Sequence, residues 1–145
     1  MLDGRTGQVL GTFTAEGQVE RVAVNEYTGH IVVLSDTKLY ILNERTAAPL
    51  HTLTLPTRLV DLAMDDQGSR IFVVQQADPT IIPQEPMQLI VFDGNTGTLL
   101  RRFQLHSWGS MVVFSQTRRV FVSSGADDPF GMRFVRVPKI WTIGY

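Results

Sequence analysis

The sequence predicts an all-β chain built from small, repeated antiparallel sheets. A turn motif recurs at residues 2–7 (LDGRTG), 42–47 (LNERTA) and 92–97 (FDGNTG), and a leucine follows each copy three residues later. Short apolar runs separated by turn residues fill the 40 to 50 residues between copies. Repeats of this length, each containing several short strands, are typical of β-propellers, in which one repeat forms one blade.

Apolar runs and turn residues divide each repeat into strands, termed a, b, c and d in chain order. The first complete repeat has strands at 19–25, 31–34, 38–42 and 50–55; the second has them at 59–64, 71–74, 89–92 and 99–105; the third offers a, b and c alone, at 111–114, 120–122 and 140–143. A further d strand within residues 8–14 precedes the first repeat. The predicted order is therefore d-abcd-abcd-abc, a single propeller segment with blades at about 15–55, 56–106 and 107–145, the last completed by the d strand 8–14.

The two ends of the sequence match each other. Residues 1–4 align with residues 142–145, so the orphan d strand corresponds to the strand that the third repeat lacks. Closed propellers have about four or more blades, and three would leave apolar sheet surfaces open. We therefore expect either a homodimer that forms a six-blade, head-to-tail ring or further blades outside this sequence.

The recurring turn motif has a structural interpretation. Its Asp or Asn side chain is expected to accept backbone hydrogen bonds, and Gly7 and Gly97 are expected to adopt positive φ. The first complete repeat has Ala47 and Pro49 instead, which predicts a looser hairpin there. A calcium loop is excluded because the alternating oxygen ligands and the terminal glutamate of such a loop are missing.

Loop lengths indicate where function lies. In an up-and-down meander the d–a and b–c loops share one face, and the b–c loops grow from 35–37 to 75–88 and then to 123–139. Long loops on a rigid scaffold are common binding sites for a protein or small ligand. The candidate binding residues on this face are Asp36, Asp78, His106, Trp108, Asp127, Asp128, Phe130, Arg133 and Arg136. The carboxylates also suggest a metal ring at the channel mouth, but Asp-Pro pairs are ordinary turn initiators, so no metal is predicted.

Composition argues against several function classes. The net charge of −1 gives no electrostatic reason to bind nucleic acid, and no apolar run approaches the roughly 20 residues that cross a bilayer. The three histidines fall in unrelated positions, and the sequence lacks cysteine and any dinucleotide or nucleophile motif. We therefore expect no catalytic residue and no cofactor. No signal peptide is expected, because no basic segment followed by an apolar stretch begins the sequence.

Residues 1–10 (MLDGRTGQVL) and 22–33 (VAVNEYTGHIVV) resemble the repeat of bacterial YVTN-type (YncE-like) β-propellers, within the quinoprotein amine dehydrogenase-like group. The resemblance implies a WD40-like propeller fold and, for most members, a binding or scaffold role in the cell envelope. It places the protein in the envelope or outside the cell if it is part of a longer secreted propeller. The predicted function is a non-enzymatic segment with a variable binding face. The alternative is part of a propeller enzyme of lactonase or quinoprotein dehydrogenase type.

Overall fold

The computed structural model describes residues 1–65, 67, 69–78, 80, 86–105, 111–114, 116, 119–124 and 139–144, with residues 123–124 and 139–144 as backbone alone. Within these residues the chain forms three antiparallel sheets. Blade 1 contains β1 (Val19–Asn25), β2 (His30–Ser35), β3 (Lys38–Asn43) and β4 (Pro49–Thr54); blade 2 contains β5 (Leu59–Asp65), β6 (Arg70–Gln75), β7 (Met87–Asp93) and β8 (Leu99–Leu105); blade 3 contains β9 (Met111–Phe114), β10 (Arg119–Ser124) and β11 (Lys139–Gly144).

Each sheet is a meander in which consecutive strands are neighbours. The predicted strands a to d are confirmed in blades 1 and 2, as are a to c in blade 3, with bounds within two residues of the prediction. Blades 1 and 2 also share irregularities, since both a–b ladders shift register at the second residue of strand a and both c–d ladders shift near the end of strand c. The all-β propeller-blade prediction is therefore confirmed.

The blades stack face to face through apolar clusters. One cluster joins blades 1 and 2 and contains Leu34, Ile41, Ile71 and Ile90. A second joins blades 2 and 3 through residues such as Phe72 and Val120. The b and c strands of blades 1 and 2 are buried along most of their length, whereas β4 and β8 lie at the outer edge and are mostly exposed.

Polar contacts fix neighbouring blades relative to each other. The buried side-chain amide of Asn25 donates to the carbonyl oxygen of Asp65 at 3.3 Å. Arg21 forms an ion pair with Asp61 at 3.6 Å, and Arg58 pairs with Glu20. The Asn25–Asp65 and Arg21–Asp61 contacts join the two sheets, and the Arg58–Glu20 pair joins blade 1 to the connection that leads into blade 2. The packing of blade 2 on blade 1 is therefore specified by polar contacts as well as by apolar burial.

The c–d turn is built identically in its three copies. Asp3, Asn43 and Asp93 each accept hydrogen bonds from the backbone N–H groups two and three residues later, at 2.7 to 3.1 Å. The residues that close the turns, Gly7, Ala47 and Gly97, have φ of 72°, 56° and 69°. The predicted looser hairpin in blade 1 is wrong, because Asn43 accepts the same hydrogen bonds as aspartate and Ala47 adopts the left-handed conformation.

The turns of blades 1 and 2 also rest on the segment that precedes each blade. A Cβ atom placed on Gly97 would lie 3.3 Å from Leu53 Cδ2 and 3.4 Å from His51 Cβ. A Cβ atom placed on Gly11 would lie 3.6 Å from Ala47 Cβ. A glycine in the turn of blade 2 therefore faces a histidine, whereas an alanine in the turn of blade 1 faces a glycine.

The predicted d strand of residues 8–14 behaves differently from the others. It forms a single antiparallel bridge, Leu2 with Val9, and the rest of the segment is not a strand. It does not join blade 3, whose sheet has the order β11-β10-β9. Within the described residues the segment therefore does not complete blade 3, because it lies on the side of blade 1 that faces away from blade 2, against Val33, Tyr40 and Leu42.

Candidate functional site

The d–a and b–c loops meet on one face of the sheets and enclose a small cleft. The cleft has a volume of about 180 Å³. Pro56 and Thr57 contribute from the loop between β4 and β5, while Gln75 to Asp78 and Pro86 contribute from the β6–β7 loop. Gln88 and Arg102 complete the wall from β7 and β8. The cleft thus lies where the connection from blade 1 to blade 2 meets the β6–β7 connection of blade 2.

Hydrogen bonds tie the two connections together. The Thr57 hydroxyl donates to the carbonyl oxygen of Gln76 at 2.6 Å, and the Gln76 N–H donates to the carbonyl oxygen of Arg58 at 2.8 Å. The Arg102 guanidinium donates to the Gln88 side-chain oxygen at 3.2 Å. The base of the cleft is therefore held by hydrogen bonds between blade 2 and the connection that leads into it, which preorganises the cleft for binding.

Asp78 carries the negative charge of the cleft. Its Oδ1 accepts from the Thr80 N–H at 2.8 Å and from the Thr80 hydroxyl at 2.7 Å. The side-chain hydrogen bond, followed by the backbone one, lowers the pKa of Asp78 below its usual value. Asp78 and Arg102 therefore present one carboxylate and one guanidinium to a ligand, a combination that can hydrogen-bond the polar groups of a peptide.

Asp36 lies on the same face in blade 1. Its backbone N–H donates to the carbonyl oxygen of Gln18, as that of Gln76 does to the carbonyl oxygen of Arg58, so Asp36 corresponds in position to Gln76 of blade 2. Its carboxylate accepts the N–H of Gln18 at 3.3 Å, and its φ is 42°. The side chain thus supports the loop that precedes β1.

The other predicted binding residues fall outside the described part of the chain: His106, Trp108, Asp127, Asp128, Phe130, Arg133 and Arg136. The structure adds residues that the sequence did not single out. Arg102, Thr57 and Gln88 are not among the candidate residues of the sequence analysis. Thr57 and Gln88 lie near the loop face, whereas Arg102 reaches the cleft from the middle of β8.

Among the described residues no group of three or more His, Asp or Glu side chains could hold a metal ion. Over the same residues no helix has the length and hydropathy to span a bilayer.

A second concavity lies on the face of blade 1 that points away from blade 2, here called the upstream face. Its volume is about 410 Å³, and its walls are apolar. Val22 and Val24 contribute from β1, Ile31 and Val33 from β2, and Met1, Phe13 and Ala15 from the N-terminal segment. This surface has no charged residue in its lining, so it suits an apolar partner rather than a polar ligand.

Comparison with known proteins identifies the fold. No protein-family model matches the chain, and no curated protein sequence is significantly similar to it. Solved structures do match. The structure of U3-55K superposes with a TM-score of 0.64 at 12% identity, covering 81% of this chain and 36% of that one. BamB from Moraxella catarrhalis gives 0.64 at 17% identity, covering 95% and 40%.

The WD40 β-propeller domain of Doa1 matches with a TM-score of 0.56 at 16% identity, covering 76% of this chain and 34% of that domain's chain. The chain thus spans between about a third and two fifths of the length of these structures. The identities are low, so the likeness concerns the fold. Together with the three stacked meanders, it shows that the chain has the architecture of a β-propeller segment.

Proposed function

We propose that this chain is a non-enzymatic propeller segment that binds a protein partner through its loop face. The observation that carries the proposal is the cleft between residues 55–58 and residues 76–78. Hydrogen bonds from Thr57 to Gln76 and from Arg102 to Gln88 hold its walls, and it displays Asp78 and Arg102 together. The opposite face is formed by tight turns whose polar side chains bond their own backbone, which leaves fewer groups for a partner.

Position-specific photocross-linking in cells of the source organism tests this proposal. A benzophenone amino acid placed at the exposed Gln76 should capture one protein, identified by mass spectrometry, whereas the same group at the exposed Tyr27 on the turn face should not. Arg102→Ala should reduce the captured amount because it removes a donor from the cleft. Capture at Tyr27 alone, or at both positions equally, would contradict the proposal.

Shortening the β6–β7 loop provides a matched control for folding. Replacing residues 79–86 with a tight turn should abolish capture at Gln76 yet cost less than about 2 kcal/mol of unfolding free energy, since surface loops tolerate length changes. Chemical denaturation measures the cost. A larger loss would show that the loop is packed structure, and the capture result would then have no bearing on binding.

Two finer assignments belong to the same proposal. We assign the repeat to the YVTN-type group on the segments 1–10 and 22–33, and we propose that further blades complete the ring. Low-angle X-ray scattering tests the second assignment, because a closed ring is a compact disc whereas a three-blade segment is an open wedge.

A further inference from the structure

The outer strands of blades 1 and 2 differ in how their open edges are protected. Both β4 and β8 end their sheets, and within the described residues no strand pairs with the outer edge of either. β8 (LLRRFQL) carries two adjacent arginines, and charged side chains on an edge strand discourage pairing with another chain. β4 (PLHTLT) carries no Asp, Glu, Lys or Arg, and its proline is its first residue. The edge of β4 is therefore the less protected of the two.

The open edge of β4 presents backbone groups that β3 does not use. The Leu55 N–H donates to the carbonyl oxygen of Thr37 at 2.8 Å, on the β3 side of the strand. Because the direction of hydrogen bonding alternates along an antiparallel strand, the N–H and C=O groups of Thr52 and Thr54 point away from β3. Both threonine side chains are exposed. A further strand can therefore pair with β4 at these two residues.

Contacts with blade 2 hold β4 in place. On the other side of the strand, the His51 Nε2–H donates to the carbonyl oxygen of Asn95 at 2.9 Å. Leu53 is packed against the apolar cluster that joins blades 1 and 2. A strand that is already ordered loses little conformational entropy when another strand pairs with it. The edge of β4 is thus preorganised for pairing.

Side chains of β8 lie on the side of this edge that faces blade 2. Phe103 packs toward blade 3, so alternation along the strand places Leu100 and Arg102 on the side of blade 1. Leu100 is 39% exposed. Arg102 lines the cleft together with Pro56 and Thr57, which lie just beyond the end of β4. A strand added to β4 would therefore turn one face toward Leu100 and Arg102.

Arg102 gives this surface a preference for negative charge. It is exposed and donates to the side-chain oxygen of Gln88 at 3.2 Å. Among the described residues no carboxylate forms an ion pair with it, and the Asp78 Oδ1 accepts from Thr80 instead. A guanidinium has five N–H donors in a planar fork that fits a carboxylate. Arg102 can therefore bind an acidic side chain of a partner.

We propose that the partner bound at the loop face contributes an extended, acidic segment that pairs with β4 as a fifth strand of blade 1. Alternate side chains of the segment face blade 2, with an apolar residue against Leu100 and a carboxylate on Arg102. The segment continues into the cleft, because Arg102 belongs to both surfaces. This proposal rests on the proposed loop-face function and specifies the chemistry of the partner.

Photocross-linking at two positions separates the two proposals. A benzophenone amino acid at Gln76 reports loop-face binding, and the same group at Thr54 reports pairing with β4. Both should capture the same protein, and mass spectrometry should map the Thr54 cross-link to a segment that contains Asp or Glu. Capture at Gln76 alone, or a Thr54 cross-link within the chain itself, would overturn strand pairing and leave loop-face binding intact. Capture at neither position would overturn both.

A backbone variant tests the pairing in the chain that carries the photoreactive group at Thr54. Thr52→Pro removes an N–H that points away from β3, so the captured amount should fall about tenfold or more. Thr52→Val is the matched control, because it keeps this N–H and should capture as much as the chain with threonine. Thermal melting checks that both variants fold. Equal capture by the two variants would contradict strand pairing.

A pair of arginine variants tests the charge preference without changing the backbone. Arg102→Glu should reduce capture at Thr54 about tenfold or more, because it places a carboxylate opposite the acidic segment. Arg101→Glu makes the same change in net charge on the other side of β8 and should reduce capture less. Equal losses would show that net charge, rather than contact with Arg102, governs binding, and would overturn the assignment of an acidic residue to this position.

Discussion

The upstream faces of blades 1 and 2 are built from equivalent apolar positions, yet one is a closed core and the other is only partly covered. Ile71 and Ile90 are fully buried between two sheets. Ile31 is only partly buried, and Val22 and Val24 on the neighbouring strand β1 face solvent. The difference lies in what precedes each blade, since blade 2 follows a complete sheet and blade 1 follows one docked segment. The pattern of apolar residues in the sequence therefore predicts which side of a strand forms a packing face. How deeply those residues are buried depends on what covers that face.

The largest expected difference is between two equivalent isoleucines. Ile71→Ala should lower the unfolding free energy by about 2 to 5 kcal/mol, as deletions from a close-packed core do. Ile31→Ala should cost about 1 kcal/mol, because fewer contacts are lost. Urea denaturation of both variants measures the costs. Equal losses would show that the N-terminal segment covers blade 1 as fully as blade 1 covers blade 2.

The turn glycines should show a smaller difference. Gly97→Ala should cost about 1 to 2 kcal/mol, because alanine is strained at φ of 69° and its Cβ would press on Leu53 and His51. Gly7→Ala has the same strain at φ of 72° but meets no atom within 4 Å, so it should cost about 1 kcal/mol. Thermal denaturation separates the two. A greater cost at Gly7 would contradict the role assigned to inter-blade packing.

The smallest effect concerns charge in the same turn. Burial raises the pKa of Asp93, but hydrogen bonds from Thr96 and Asn95 outweigh it, so its pKa lies below the usual value. The stabilisation is therefore present above the unfolded-state pKa and is lost as the pH falls through the folded-state value.

Asp93→Asn should be nearly neutral at pH 7, because Asn43 supports the same turn in blade 1. The variant should also have a shallower loss of stability in acid, measured from urea midpoints between neutral pH and pH of about 3. An unchanged acid profile would show that other carboxylates account for the acid sensitivity.

Much of the fold was predictable because its determinants are local. Runs such as Ile31 to Leu34 mark strands, and the hydrogen-bonding side chain and closing residue of each c–d turn are adjacent in sequence. The error at Ala47 arose because a non-glycine residue can adopt the left-handed conformation.

The candidate site was less predictable. Asp78 was identified from its loop, but Arg102 and Thr57 reach the cleft only through strand register and the meeting of two connections. The docking of Phe13 on Tyr40 likewise depends on tertiary packing. Sequence patterns identify turns and faces well, whereas contacts between elements distant in sequence require the assembled sheets.

The fit between each c–d turn and the strand before it has a consequence for how such a gene can be duplicated. Gly97 is matched to His51, and Ala47 is matched to Gly11, so the two members of each pair lie on different repeats. A recombination breakpoint between residues 51 and 97 would separate His51 from Gly97. Some products would then place the histidine against Ala47, and others would place Gly11 against Gly97 and leave a gap. Breakpoints that keep each pair on one fragment preserve the fit. Inherited repeat boundaries in this lineage should therefore lie within the c–d hairpin, between the turn and the strand that follows it.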